Sequence, residues 1–108
     1  MELTDSSAEV IAERFAALAE PMRLRLLNAL RRGEMSVGDL AEESGASPAN
    51  ASKHMQLLLQ QGFVERRKDG TTIWYRIADP AVFELCSLIS AGIDRVLERR
   101  RKQLRQRS

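Results

Sequence analysis

The hydrophobic period of this chain switches after Gly62 and switches back near Asp79-Pro80, and that limits the folds open to it. Up to Gly62 apolar residues recur at the three-to-four-residue spacing of helices. Beyond it they alternate, across Phe63-Val64-Glu65-Arg66-Arg67-Lys68 and Thr71-Thr72-Ile73-Trp74-Tyr75-Arg76-Ile77. Asp69-Gly70 separates the two runs, and Asp-Gly is a tight-hairpin signal because both residues tolerate positive φ. Ile73, Tyr75 and Ile77 fall on one face, read as the core side; Thr72, Trp74 and Arg76 fall on the other. Asp79-Pro80 then restores the helical period. The expectation is a mainly α fold with a small β-hairpin.

Caps and breakers divide the first sixty residues. Ser6-Ser7-Ala8-Glu9 has capping-box spacing, and Ile11, Phe15 and Leu18 follow it as a first helix to about Ala19. Pro21 suits the first turn of a second helix, with Leu24, Leu27 and Leu30 as its buried stripe and Gly33 as its stop. Ser36 and Asp39 open a short helix holding Val37, Leu40 and Ala41, ended by Gly45. Ser47-Pro48 opens another that reaches about Gln61. In the last helix Val82, Cys86, Ile89, Ile93 and Val96 recur at spacings of 4, 3, 4 and 3. That is the interval of a helix-pairing seam, and it is long for a helix serving one small core.

Length sets the scale. A chain of 108 residues, 44% hydrophobic and 30% charged, makes one ordinary globular domain, residues 1–108, with a core small enough to gain from a second copy. No apolar run is long enough to span a membrane, and Met1-Glu2-Leu3-Thr4-Asp5 lacks the basic and apolar regions of a signal peptide. With one cysteine, Cys86, there is no intrachain disulfide and no Cys₄ or Cys₂His₂ zinc site; the expected location is the cytoplasm.

Charge is zoned. Residues 1–46 carry five Arg against nine acids, 47–77 five cations against two acids, 78–94 three acids and no cation, and 95–108 seven cations against Glu98. Two basic zones on an acidic body point to a polyanion touched by part of the surface. Arg99-Arg100-Arg101-Lys102 also reads as a solvated helix end, where cations favour the dipole.

Two short capped helices joined by Gly45-Ala46-Ser47 form a helix-turn-helix, about residues 36–61, and the second helix is the candidate reader. On a helical wheel Ala51, Met55 and Leu58 form its buried face. Ala49, Lys53, Gln56 and Gln60 lie opposite, flanked by Asn50 and Ser52. Asn and Gln pair bidentately with adenine, Lys reaches guanine or phosphate, and a small Ala permits close approach. Ser47 and the opening turn present N–H groups suited to a phosphate. The hairpin, about residues 63–77, puts Arg66, Arg67, Lys68, Thr71 and Thr72 at its tip. A basic-tipped strand pair after a helix-turn-helix is the winged-helix arrangement, with the wing gripping backbone or minor groove of double-stranded DNA.

Three stretches resemble the ArsR/SmtB family of repressors. They are Phe15-Ala16-Ala17-Leu18-Ala19-Glu20-Pro21-Met22-Arg23-Leu24-Arg25-Leu26-Leu27, Ser47 to His54 with Met55-Gln56-Leu57-Leu58, and the wing end Trp74-Tyr75-Arg76-Ile77. The resemblance covers roughly residues 10–90. It implies a homodimeric winged-helix repressor bound to an operator, with the first and last helices as dimer interface. On this chain those helices carry Ile11, Phe15, Val82, Cys86, Ile89, Ile93 and Val96, the last helix spanning about residues 80–105. The resemblance gives His54 a structural or phosphate-contacting role.

Departures from the family pattern argue against a metal cofactor. Where thiolate sensors carry two cysteines, this chain reads Glu34-Met35-Ser36-Val37-Gly38-Asp39-Leu40; its last helix has Asp94 and Glu98 but no histidine. That segment is more similar to the SdpR-like branch, which represses without a metal. Cys86 reads as small apolar filler, having no basic neighbour within a helical turn to favour its thiolate. The alternative is a repressor switched by a thiol reaction at Cys86 or by a small molecule in the dimer groove. Nothing points to an enzyme: His54 has no nucleophilic partner in sequence reach, and there is no Gly-rich phosphate loop.

Overall fold

The computed structural model describes residues 2–107. Within them the order is α1 (Asp5–Leu18), α2 (Pro21–Ala29, prolonged by a 3-10 turn, Leu30–Arg32), β1 (Met35–Ser36), α3 (Val37–Ser44), α4 (Pro48–Gln60), β2 (Val64–Asp69), β3 (Thr72–Ile77) and α5 (Ala81–Arg107). The fold is a winged helix-turn-helix, mostly helical with a three-stranded antiparallel sheet ordered β1-β3-β2. No helix among the described residues is long and apolar enough to cross a membrane.

One core joins the helices to the sheet. Leu26, Leu27 and Leu30 from α2 and its 3-10 turn meet Leu40 and Ala41 of α3, Ala51, Met55 and Leu58 of α4, and Val64 and Tyr75 of the sheet. Ala51, Met55 and Leu58 are fully buried, so the wheel drawn from sequence has the correct inner face. Truncating Leu58 to Ala would remove about 2–5 kcal/mol from a core this small. Tyr75 is buried on the sheet's inner face, between the half-buried Ile73 and Ile77, and burial raises its hydroxyl pKa.

Several local expectations are corrected. The first helix is capped by Thr4, not Ser6: Thr4 Oγ1 accepts from the Ser7 N–H, and the Ser7 hydroxyl accepts from the Thr4 N–H at 2.8 Å. A hydroxyl three residues from the cap thus closes the box, and Glu9 is not needed. Leu24 is 39% exposed, and Leu26 takes its place in the buried stripe, because the outer side of α2 there borders a groove instead of the core. The hairpin has a third strand: Met35 pairs with Tyr75 and Ser36 with Trp74, a two-residue strand too short to show an alternation. The turn is displaced by one residue, since Asp69 pairs with Thr72 and leaves Gly70-Thr71 as the loop. Of these two loop residues only Gly70 has positive φ, at 61°, in keeping with a type II′ turn, which takes Gly first.

Helix α5 is docked by its first turns only. Val82 is 3% exposed and belongs to the core, with Phe83 and Leu85 half-buried against it. Val82 is therefore not available to a partner, contrary to its place in the expected dimer seam. Beyond it Ile89, Ile93 and Val96 are 58%, 55% and 46% exposed.

Candidate nucleic-acid interface

The turn between α3 and α4 is short because Gly45 takes a left-handed conformation, φ 78°, and its N–H returns to the Ala41 carbonyl at 3.0 Å. Ser47 then caps α4, its Oγ accepting from the Asn50 N–H at 3.2 Å. The Ala51 N–H bonds the Ser47 carbonyl and Pro48 has no N–H, which leaves the Ser47 and Ala49 N–H groups as those this turn can offer a phosphate.

With the apolar face of α4 committed to the core, Ala49, Asn50, Lys53, Gln56 and Gln60 are all exposed; Ser52 is half-buried. His54 departs from this outward set. Its side chain is 15% exposed, its Nδ1 lies 3.2 Å from Arg23 Nη1, and its Nε2 is 4.0 Å from Glu20 Oε2. Of the structural and phosphate-contacting roles that the resemblance gives it, these contacts support the structural one, a link between α2 and α4. The family motif spanning Glu20 to Arg23 carried the missing signal, but only the fold brings it to His54.

The wing separates three cations that look equivalent in sequence. Cross-strand partners share a sheet face, and Arg66 pairs with Tyr75 and Lys68 with Ile73, so both continue the face that Val64 and Tyr75 turn to the core. Because α4 shares its core with that face, Arg66 and Lys68 emerge on the side of α4. Neither has a carboxylate partner among the described residues; Thr71 is exposed in the adjoining turn, and Thr72, also exposed, lies on the opposite face with Trp74. Arg67 lies on the opposite face. It donates through Nε and Nη2 to Glu34, at 2.6 Å for Nη2, lies 3.8 Å from Asp69 and stacks over Trp74. The hydrogen bond from Arg67 holds the Glu34 carboxyl below the usual carboxylate range and raises the guanidinium in turn. Arg76, on the same outer face, is bonded to Glu65 at 2.7 Å.

On another part of the surface Phe15, Leu18 and Leu24 with Leu85, Cys86, Ile89 and Ile93 wall an apolar groove between α1, α2 and α5. Ile11 is half-buried in a neighbouring pocket with Phe15. Phe15 is half exposed, and Cys86 is free and half-buried. Among the described residues no three His, Cys, Asp or Glu side chains cluster as metal ligands. Where family metal sites would begin, the Ser36 hydroxyl accepts from the Asp39 N–H as the cap of α3.

A family model for a helix-turn-helix domain matches residues 18–67. A probable mercury resistance operon repressor from Streptomyces lividans is 36% identical over 87 residues, 81% of this chain and 70% of that protein. A transcriptional repressor SmtB homologue from Synechocystis is 41% identical over 78 residues, 72% of this chain and 59% of that one. Among solved structures, the homodimeric winged helix-turn-helix domain of a possible ArsR-family regulator from Mycobacterium bovis superposes with a TM-score of 0.72 at 35% identity, covering 90% of this chain and 93% of that one. A helix-turn-helix with a capped second helix, a basic hairpin beside it, and relatives that are repressors agree. The chain belongs to the ArsR/SmtB family of winged helix-turn-helix transcriptional repressors.

Proposed function

We propose that this chain represses transcription as a homodimer that reads a two-half-site operator through α4, grips flanking backbone with the wing, and needs no bound metal. The observation carrying the reading is the division of the surface. Ala49, Asn50, Lys53, Gln56 and Gln60 form an exposed polar stripe on α4 with Arg66 and Lys68 on the same side, while Phe15, Ile89 and Ile93 border an apolar groove. Polar side chains on a rigid helix suit base edges, and unpaired cations on a strand tip suit phosphates. The groove suits a second copy, and the homodimeric Mycobacterium bovis structure supports that assignment. Two-fold symmetry then sets two related half-sites about one helical turn, or a multiple of it, apart. Occupying them would block a promoter.

Metal independence, as in the SdpR-like branch, rests on the donor set. Ser36 and Gly38 stand where thiolates would be needed, the last helix has no histidine, and Glu98 lies 3.8 Å from Arg101. Hard carboxylates beside arginine are poor ligands for thiophilic or borderline ions. The test is footprinting upstream of the chain's own gene with chelator-treated protein, paired with sedimentation. Protection of two half-sites by a dimer is expected. Zinc, cadmium, copper(I) or arsenite changing operator affinity about tenfold, a coupling near 1.4 kcal/mol, would overturn metal independence. If that change disappeared in Cys86→Ser, the thiol-switched reading would replace it.

A further inference from the structure

Reader helix α4 is packed directly by α2, α3 and the sheet, but α1 stands off from it. A cleft lined by Glu13, Ala16, Ala17, Leu57 and Gln60 runs between them. Two arginines cross the gap. Arg23, in the first turn of α2, donates through Nε to the Ala17 carbonyl and through Nη2 to the Ala16 carbonyl at 3.1 Å, satisfying the end of α1. Its remaining nitrogen, Nη1, lies 3.2 Å from His54 Nδ1 on α4. A guanidinium only donates, so His54 Nδ1 is the acceptor and the ring proton sits on Nε2, facing Glu20. Glu20 is held in place by accepting the Arg23 backbone N–H at 3.1 Å. At the far end of α4, Arg14 of α1 donates to the Gln61 carbonyl and, at 3.0 Å, to Asp79, over the Phe63 ring.

We propose that Arg23 and His54 are positioning residues for operator reading: one hydrogen bond between them fixes the rotation of α4 relative to α1, without either side chain touching DNA. Geometry gives the reason. Side-chain tips lie about 5–6 Å from the helix axis, so a rotation of ~10° moves them about 1 Å. Base-edge hydrogen bonds tolerate only a few tenths of an ångström and weaken steeply with angle, while phosphate attraction has no such direction. Loosening the bond therefore lowers selectivity and spares non-specific grip. Because Arg23 holds the last carbonyls of α1, and α1 carries Phe15 of the apolar groove, the same bond makes the pose of α4 depend on the state of that face. The proposal rests on the operator-reading function above.

The experiment compares wild type, Arg23→Met, His54→Leu, His54→Gln and Arg23→Met/His54→Leu for binding to the footprinted operator and to random DNA across a salt series. His54→Leu and Arg23→Met are expected to weaken operator binding about tenfold or more, the scale of one lost base-edge contact, with random DNA and the salt slope nearly unchanged. The double variant should be no worse than Arg23→Met alone, which already removes the bond to His54 together with those to Ala16 and Ala17. His54→Gln, which restores an acceptor, should recover most of the loss. In wild type, ¹⁵N NMR should show an unprotonated Nδ1 on His54, a readout that survives even if a variant folds poorly. A salt slope reduced by about one in His54→Leu would make His54 a phosphate ligand and overturn the proposal. So would a proton on Nδ1, or unchanged operator affinity in variants of a wild type that discriminates its operator. A wild type that does not discriminate would overturn the operator-reading function itself, and this proposal with it.

Discussion

Helix α4 buries Ala51, Met55 and Leu58 completely and turns its polar side chains outward, whereas α5 leaves Ile89, Ile93 and Val96 about half exposed. Both helices are amphipathic, but only α4 has its apolar stripe satisfied within the domain. What remains exposed after folding indicates the chemistry of the partner: hydrogen-bonding groups on α4 suit polar edges, and uncovered aliphatic side chains on α5 suit another apolar surface. The same contrast recurs within α5, where Val82 belongs to the core and its heptad successors do not.

The hardest break of this comparison is to charge the α5 stripe. Ile89→Glu with Ile93→Glu should abolish the dimer, since each buried isoleucine contributes about 1.5–3 kcal/mol and two-fold symmetry counts it twice. Operator binding should fall with it. Val82→Ala, by contrast, should lower the unfolding midpoint and leave the association constant of folded protein unchanged. A wild type that sediments as a monomer at micromolar concentration would refute the assignment of α5.

The next effect is on α4. Lys53→Ala and Gln56→Ala should each cost about 1–3 kcal/mol on the operator and less on random DNA. Equal losses on both DNAs would mean that the reading face is misassigned.

A smaller effect sharpens the division within the wing. Arg66→Ala and Lys68→Ala should each reduce the magnitude of the log–log salt slope by about 0.9, the release of one counterion. Arg67→Ala should change it little, because that charge is already taken by Glu34 and Asp69. Equal slopes for all three variants would show that the strand face does not matter.

The smallest effect is in acid. Glu34 has a depressed pKa in the folded chain, so its pair with Arg67 contributes fully above the ordinary carboxylate pKa and is lost as pH falls through the depressed value. Trp74 is the only tryptophan and lies under Arg67, so its fluorescence should stay constant down to the ordinary carboxylate range and change below it. Glu34→Gln should remove that step; a step persisting in the variant would assign it to another carboxyl.

Periodicity and local chemistry decided much of this molecule in advance. The order of helices, the inner face of α4, the alternation of β3 and the uncovered seam from Ile89 to Val96 depend on neighbours within a turn or two, and that information lies in any short stretch of chain. Even there, the choice between Thr4 and Ser6 as cap, and the one-residue shift of the turn, needed backbone geometry. Only the tertiary structure decided which partners distant residues acquire. Arg67 and Glu34 stand 33 positions apart and Arg23 and His54 31 apart, joined because the sheet and the helix packing bring their elements together. Those pairings make one wing cation unlike its neighbours and set His54 against Arg23 and Glu20. Strand pairing and helix docking are set by the whole apolar surface at once, so no local pattern could assign them.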